Sequence, residues 1–348
     1  MGSSVWPGLA LLAGLGVAIA AGASCDGRPL VGSPNPDWRP VGCPQAADPP
    51  VFLADPDGDL YRMDPNNFGV QRIAAATCPM SGRISNMAIN RRGEILLTFG
   101  MSDRAARVRV IGTSALSACE SVTIRAPNTP ITLYSGVTFA VRDEGDIGGD
   151  DLFLWGFDNM QSSSYLARAA TVTEPVTALG QTRFAEGDRS DGLCRSGRSG
   201  AMDPPTCSGP RAAVNLSTWP NRAPSNRSLV GVALVGGAFQ ILYVDAPEDQ
   251  RITEVKTVAG VPVDAYVASW TSAVWGDSLY LFVGRSTPPA PGPDAGDARP
   301  PTDAPAPTFS TVHRVSLMTG QAESDVGNLS FVPTAASVPP CMRYTVSR

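Results

Sequence analysis

Closely spaced carboxylates are the groups in this chain best suited to hold a cation. Asp55, Asp57 and Asp59 stand at i, i+2 and i+4, with Asp64 following. Alternating oxygen ligands suit Ca²⁺, but an EF-hand loop places its glycine sixth, after the third acidic position, and here Gly58 is fourth. Pro56-Asp57-Gly58 is a strong turn signal, so a turn is expected. The densest acidic cluster is Asp143, Glu144, Asp146, Asp150 and Asp151, interspersed with Gly145, Gly148 and Gly149. A solvated hairpin loop explains those letters as well as a Ca²⁺ loop does, and no metal ligand is assigned. His313 is the single histidine, which excludes a His-rich metal centre or a H-E-x-x-H zinc site. A Ser/His/Asp triad would have to use it, and no G-x-S-x-G elbow accompanies it. A satisfied, partly buried His313 is expected; no catalytic residue is assigned and no cofactor is implied.

Two other residue types repeat. Arg62, Arg109, Arg168 and Arg314 fall at one position of a recurring strand. Either they make the same salt bridge or edge contact in each copy, or they ring a channel mouth and grip an anion. Trp155, Trp219, Trp270 and Trp275 have ring faces that would stack a sugar or fill a core. Asn215-Leu216-Ser217 has the spelling of a glycosylation acceptor.

The N-terminus reads as an export signal. Residues 1–24 carry no charged side chain, and Leu9 to Ala21 is LALLAGLGVAIAA, short for a membrane span of about 20 residues. Gly22-Ala23-Ser24-Cys25 resembles a bacterial lipobox, in which the cysteine is lipidated and becomes the new N-terminus; Gly22 stands where Leu is usual. Cleavage after Ala23, or retention as an uncleaved anchor, are the other two readings. All three place the remaining chain outside the cytoplasm, and with Cys25 lipidated residues 25–42 form a tether. The seven cysteines less Cys25 leave six, an even number suited to an oxidising compartment. The preferred pairs are Cys78 with Cys119, bracing neighbouring repeats, Cys194 with Cys207, closing a short loop, and Cys43 with Cys341, clasping the two ends. A zinc site is the rival, but there is no C-x-x-C and the spacings are irregular.

The elements that would position these residues are strands. Arg107 to Val110 alternates, and Asp151 to Trp155, Leu229 to Val235, Phe239 to Val244 and Leu279 to Val283 are short apolar runs bounded mostly by Gly, Asp, Asn or Pro. With 35 Gly and 32 Pro in 348 residues, many short elements joined by turns are expected. Leu60-Tyr61-Arg62-Met63-Asp64 is echoed at Arg107 to Ile111, Leu166 to Ala170, Val312 to Ser316 and, divergently, Ile241 to Asp245. A second theme precedes most copies: Gly93 to Leu97, Gly149 to Phe153 and Gly276 to Tyr280, while Gly58-Asp59 runs straight into the first copy. The fold class is all-β: a single β-propeller of four-stranded blades over residues 43–348, five blades, or six if the N-terminal piece or the 181–228 segment adds its own. The first unit, 51–75, is one strand short, and a strand after Phe331 would complete it. Residues 181–228 are expected to be a loop-rich insertion, and 286–308, rich in Pro, Ala and Asp, a disordered loop.

Asp57-Gly58-Asp59-Leu60-Tyr61-Arg62-Met63-Asp64-Pro65, Trp275 to Phe282 and the closing Cys341 resemble the propeller-type lipoproteins common in myxobacteria and their relatives. The resemblance spans roughly residues 43–343. It implies a propeller fold and brings no activity or catalytic residues with it.

Net charge −5 and a pI near 5.0 exclude the basic surface of a nucleic-acid binder. The leading expectation is a lipid-anchored propeller in the cell envelope of a Gram-negative bacterium, facing the periplasm or the exterior. It would act as a binding or scaffold module for a protein or glycan partner. The alternative from another class is a calcium-dependent hydrolase of lactonase or esterase kind, which needs three or four Asp, Asn or Glu side chains converging on the central channel. A structural envelope protein without a discrete ligand is the third.

Overall fold

The structure is a computed structural model that describes residues 49–78, 82–111, 115–126, 129–142, 149–158, 163–171, 174–184, 213–220, 222, 227–264, 267–286 and 309–340. Cys25, Cys43, Cys194, Cys207 and Cys341 lie outside the described residues, as do the N-terminal signal, Asp143, Glu144 and Asp146, and nearly all of the 286–308 segment. No helix among the described residues is long and apolar enough to cross a membrane.

Five antiparallel sheets form five blades, each ordered from the axis outward. The first is Ala335–Ser337, Val51–Ala54, Asp59–Met63 and Val70–Ala75. The second is Ile84–Ile89, Glu94–Phe99, Arg104–Ile111 and an outer strand in two pieces, Ala115–Leu116 and Glu120–Thr123. The third is Ile131–Val141, Asp150–Asp158, Ser164–Ala169 and Thr177–Gln181. The fourth is Val214–Thr218, Leu229–Val235, Ala238–Val244 and Glu254–Thr257. The fifth is Val267–Trp275, Ser278–Arg285, Ser310–Ser316 and Ala322–Leu329. Each inner strand contacts the inner strands of the blades before and after it, so the ring closes.

The repeated motif of the sequence is the third strand of every blade, and the second theme enters the second strand. In the first blade the second strand is Val51–Ala54, so Gly58 lies in the turn that follows it and Asp59 opens the third strand. Second strands read as unbroken apolar runs because each blade is packed on both faces: Leu279, Leu281 and Val283 face the fourth blade, while Tyr280 and Phe282 face the first. The core is therefore five apolar clusters, one in each seam between blades. Burying these faces, at about 25 cal/mol per Å² of apolar surface, drives the blades together.

The C-terminal strand closes the ring as expected. Ala335–Ser337 pairs with Val51–Ala54, Phe52 opposite Ser337, and completes the first blade. Aromatic side chains reinforce this seam. Tyr61 stacks on Phe331 with centroids 4.1 Å apart, Trp275 donates its indole N–H to the Pro49 carbonyl at 3.1 Å, and the Tyr280 hydroxyl donates to the Pro65 carbonyl at 3.0 Å. Burial of Tyr280 pushes its phenol up to about 12.

Residues 181–228 correct the expectation of a loop-rich insertion over that whole span. Val214–Thr218 within it is the inner strand of the fourth blade. Its letters, VNLST, alternate apolar with polar because one side packs in a seam while the other meets polar neighbours at the axis. A long apolar run is therefore missing.

Strand order also assigns the two faces of the ring. Turns from inner to second strand and from third to outer strand lie on one face, and the remaining connections lie on the other. The first described segment enters the second strand of the first blade, and the last leaves its inner strand, so both ends emerge on the first of these faces. This is the terminal face.

Candidate functional site

The axis of a propeller is where a metal or substrate site would form, and here neutral side chains occupy it. Asn215, from the fourth blade, donates from Nδ2 to Oδ1 of Asn86 of the second blade at 3.0 Å and to Oγ1 of Thr271 of the fifth at 3.3 Å. Its Oδ1 accepts from the Ser272 hydroxyl at 2.9 Å. The Ser135 hydroxyl of the third blade meets the Val214 amide at 3.2 Å, and the Ser337 hydroxyl of the first accepts from the Ile89 amide at 3.2 Å. Every blade thus supplies a polar group to the inner ring. The five inner strands contain no Asp, Glu, Lys, Arg or His: their sequences are AAS, ISNMAI, ITLYSGVTFAV, VNLST and VASWTSAVW. Among the described residues no three His, Cys, Asp or Glu side chains group as a metal site. Asn215, the candidate glycosylation acceptor by spelling, is buried in this network.

Inner strands approach closely here. A Cβ on Gly136 would lie 2.4 Å from the Val214 carbonyl oxygen and 3.0 Å from the Leu216 nitrogen, so only glycine lets the third and fourth blades meet at that point.

The charged candidates among the described residues lie away from the axis, and Asp55, Asp59, Asp64, Asp150 and Asp151 each have a structural partner. Asp55 Oδ1 accepts from the amides of Asp57 and Asp59 at 3.0 and 2.9 Å, and its Oδ2 accepts from the Tyr61 hydroxyl at 3.0 Å. Asp59 pairs with Arg72 at 2.6 Å, and the guanidinium hydrogen bond holds its carboxyl below the ordinary value. The Asp55–Asp59 segment is the expected turn, stapled by its own side chains. Asp150 and Asp151, the described members of the acidic cluster, are both buried ion-pair partners. Arg91 donates to Asp150 from its backbone amide at 2.8 Å and from Nε at 2.5 Å, joining the second and third blades. Burial pushes the Asp150 carboxyl up, against the pull of the Arg91 amide and guanidinium. Asp151 takes Arg142 at 2.7 Å and Arg227 at 2.6 Å, with Arg168 at 3.8 Å, and Glu248 closes the group on Arg227 at 3.0 Å. This cluster ties the third blade to the fourth.

The repeated arginines do not ring a channel. All four sit on third strands, two strands out from the axis. Nor do they repeat one contact: Arg62 donates to Gln71 on the outer strand, Arg109 pairs with Glu94 on the second, Arg168 reaches Asp151 and Glu248, and Arg314 pairs with Glu323 on the outer strand. His313 is 2 % exposed, more deeply buried than expected, and its Nε2 lies 3.1 Å from the Thr311 hydroxyl. Trp155, Trp219 and Trp275 are at most 2 % exposed and fill seams, whereas Trp270 is partly exposed.

Of the expected disulfides, Cys78–Cys119 is formed. It links the connection leaving the first blade to the split outer strand of the second, packed on the cluster between those blades. Beside it a cleft of about 300 Å³ is lined by Glu94, Arg107, Arg109, Ile111, Ser117 and Glu120. Its charges are already paired, Arg107 with Glu120 and Arg109 with Glu94. Sequence reasoning missed this cleft and the axial amides. The alternation Arg107-Val108-Arg109 signals the first, but nothing in the letters around Asn86 or Asn215 places them together.

No family model matches the chain, and no curated protein does. Solved structures do match. A nidogen/laminin complex is similar at 10 % identity over 82 % of this chain and 84 % of that one, TM-score 0.40. A protein of unknown function from Bacteroides caccae is similar at 13 % identity over 83 % and 98 %, TM-score 0.39. The Dos1 propeller is similar at 10 % identity over 82 % and 69 %, TM-score 0.35. The strand order itself makes this chain an all-β, five-bladed propeller.

Proposed function

We propose that this chain is a lipid-anchored envelope protein whose propeller is a rigid binding module for a protein or glycan partner. The observation that carries the reading is the axis. Its side chains are neutral and bonded to one another, with Asn215 engaging Asn86, Thr271 and Ser272. A calcium-dependent propeller hydrolase needs carboxylates converging there to hold the ion, and the five inner strands supply none. A ligand on this ring then engages loops and outer surfaces. The described residues enter and leave on the terminal face, so a tether from a lipidated Cys25 would hold that face toward the membrane and present the opposite one.

A thermal shift titration separates this reading from the hydrolase. Excess Ca²⁺ is expected to leave Tm unchanged and a panel of lactones and aryl esters unhydrolysed. A saturable rise in Tm with Ca²⁺, together with turnover that EDTA abolishes, would overturn it in favour of the enzyme.

A further inference from the structure

We propose a carbohydrate subsite centred on Trp270, on the face opposite the chain ends, which deepens the binding-module reading and rests on it. Three of the four described tryptophans serve packing, and two of those donate their indole N–H inside the protein, Trp219 to Asp277 at 3.1 Å and Trp275 to Pro49 at 3.1 Å. Trp270 is different. It is partly exposed, it touches Phe239 edge-on with centroids 5.5 Å apart and planes at 74°, and its indole N–H donates to no described residue. It sits in the first half of its inner strand, the half nearer the opposite face.

The pairing register sets a polar group beside it. Trp270 lies opposite Val283, and Val267 lies opposite Arg285. Val267, Trp270 and Val283 all face the seam with the fourth blade, and Arg285, two residues beyond Val283, is on that same side. Diagonal neighbours on one sheet face are within reach of long side chains. Arg285 is fixed by Asp264 at 2.5 Å, and Val263 flanks the group. The result is a partly exposed indole on the same side of the sheet as the Arg285–Asp264 pair, whose guanidinium also donates to the Pro262 carbonyl, bordered by apolar side chains.

That combination fits a pyranose. A β-linked sugar with equatorial hydroxyls offers an apolar C–H face to an aromatic ring, and its edge hydroxyls both donate and accept toward Arg and Asp. An extended peptide would instead seek a free strand edge, and the strand bearing Trp270 turns its unpaired edge to the ring axis. The ligand class is therefore a neutral β-linked oligosaccharide.

The test uses the full-length chain in detergent, with cellotetraose and chitotetraose as probes. Intrinsic fluorescence and saturation-transfer NMR report binding. At least one sugar is expected to shift tryptophan emission saturably and to receive saturation on its ring protons. Trp270→Ala is expected to weaken that binding about tenfold. Trp270→Phe keeps a ring against Phe239 and is expected to bind with intermediate affinity, which decides the matter if the alanine variant melts early. Absence of saturation transfer to both sugars, or wild-type affinity in Trp270→Phe and Trp270→Ala alike, overturns the subsite. A protein partner cross-linked to the chain on cells, with neither sugar bound, would sink the subsite and leave the binding-module reading standing.

Discussion

Asn215 engages one acceptor site and both amide hydrogens at the axis, so its neighbours depend on it for their own partners. Replacing it by leucine removes three hydrogen bonds and leaves Asn86 Oδ1 facing the apolar side chain. We expect Asn215→Leu to cost about 1–3 kcal/mol, read as a lower urea midpoint at unchanged m-value. No change in midpoint would mean that the axial network does not hold the ring. Residue roles were the least legible level in the sequence. Asn215-Leu216-Ser217 spells a modification site, yet the ring buries Asn215 against residues of the second and fifth blades. The four arginines align as letters, but their partners differ because those partners come from different strands and blades. A side chain's partner is set by which strands become neighbours, and that information is absent from local spacing. The exposure of Trp270 cannot be read from sequence, since only closure of the ring buries Trp155 and leaves Trp270 partly uncovered.

At the level of elements, the sequence was more readable. Third strands repeat a recognisable pattern because buried apolar residues flank a more exposed arginine, as Leu60 and Met63 flank Arg62 and Leu166 and Ala169 flank Arg168. Inner strands were missed in Ile84–Ile89, Ile131–Val141 and Val214–Thr218, since residues at the axis are small or polar and break the apolar runs. The incomplete first unit was legible as a count of strands, and Ala335–Ser337 supplies the missing one. Deleting residues 335–348 would leave Phe52, Leu53 and Ala54 without their inner neighbours and open the seam between the fifth and first blades. We expect that variant to lose cooperative thermal unfolding and to bind a hydrophobic dye. A truncated chain that still melts in one sharp transition would show that the closing strand is dispensable. We further propose that Cys43 and Cys341 clasp this closure. Pro49 and Pro340 each lie three residues beyond the Phe52–Ser337 pair, leaving the ring side by side, so a bond beyond them joins two ends already aligned.

For the whole molecule, one arrangement accounts for both ends and both faces. Five seams of apolar side chains close the ring, neutral side chains hydrogen-bond across its axis, and the described chain enters and leaves on one face. An anchor at Cys25 would turn that face to the membrane and the Trp270 face outward. The most direct measurement is the intact mass of the native protein extracted from membranes, with and without reduction before alkylation. The account predicts a chain beginning at Cys25 with a diacylglyceryl-type adduct, and six further cysteines alkylated only after reduction. An unlipidated chain beginning at Ser24 would contradict the anchor, and alkylation of any of the six without reduction would contradict the paired cysteines.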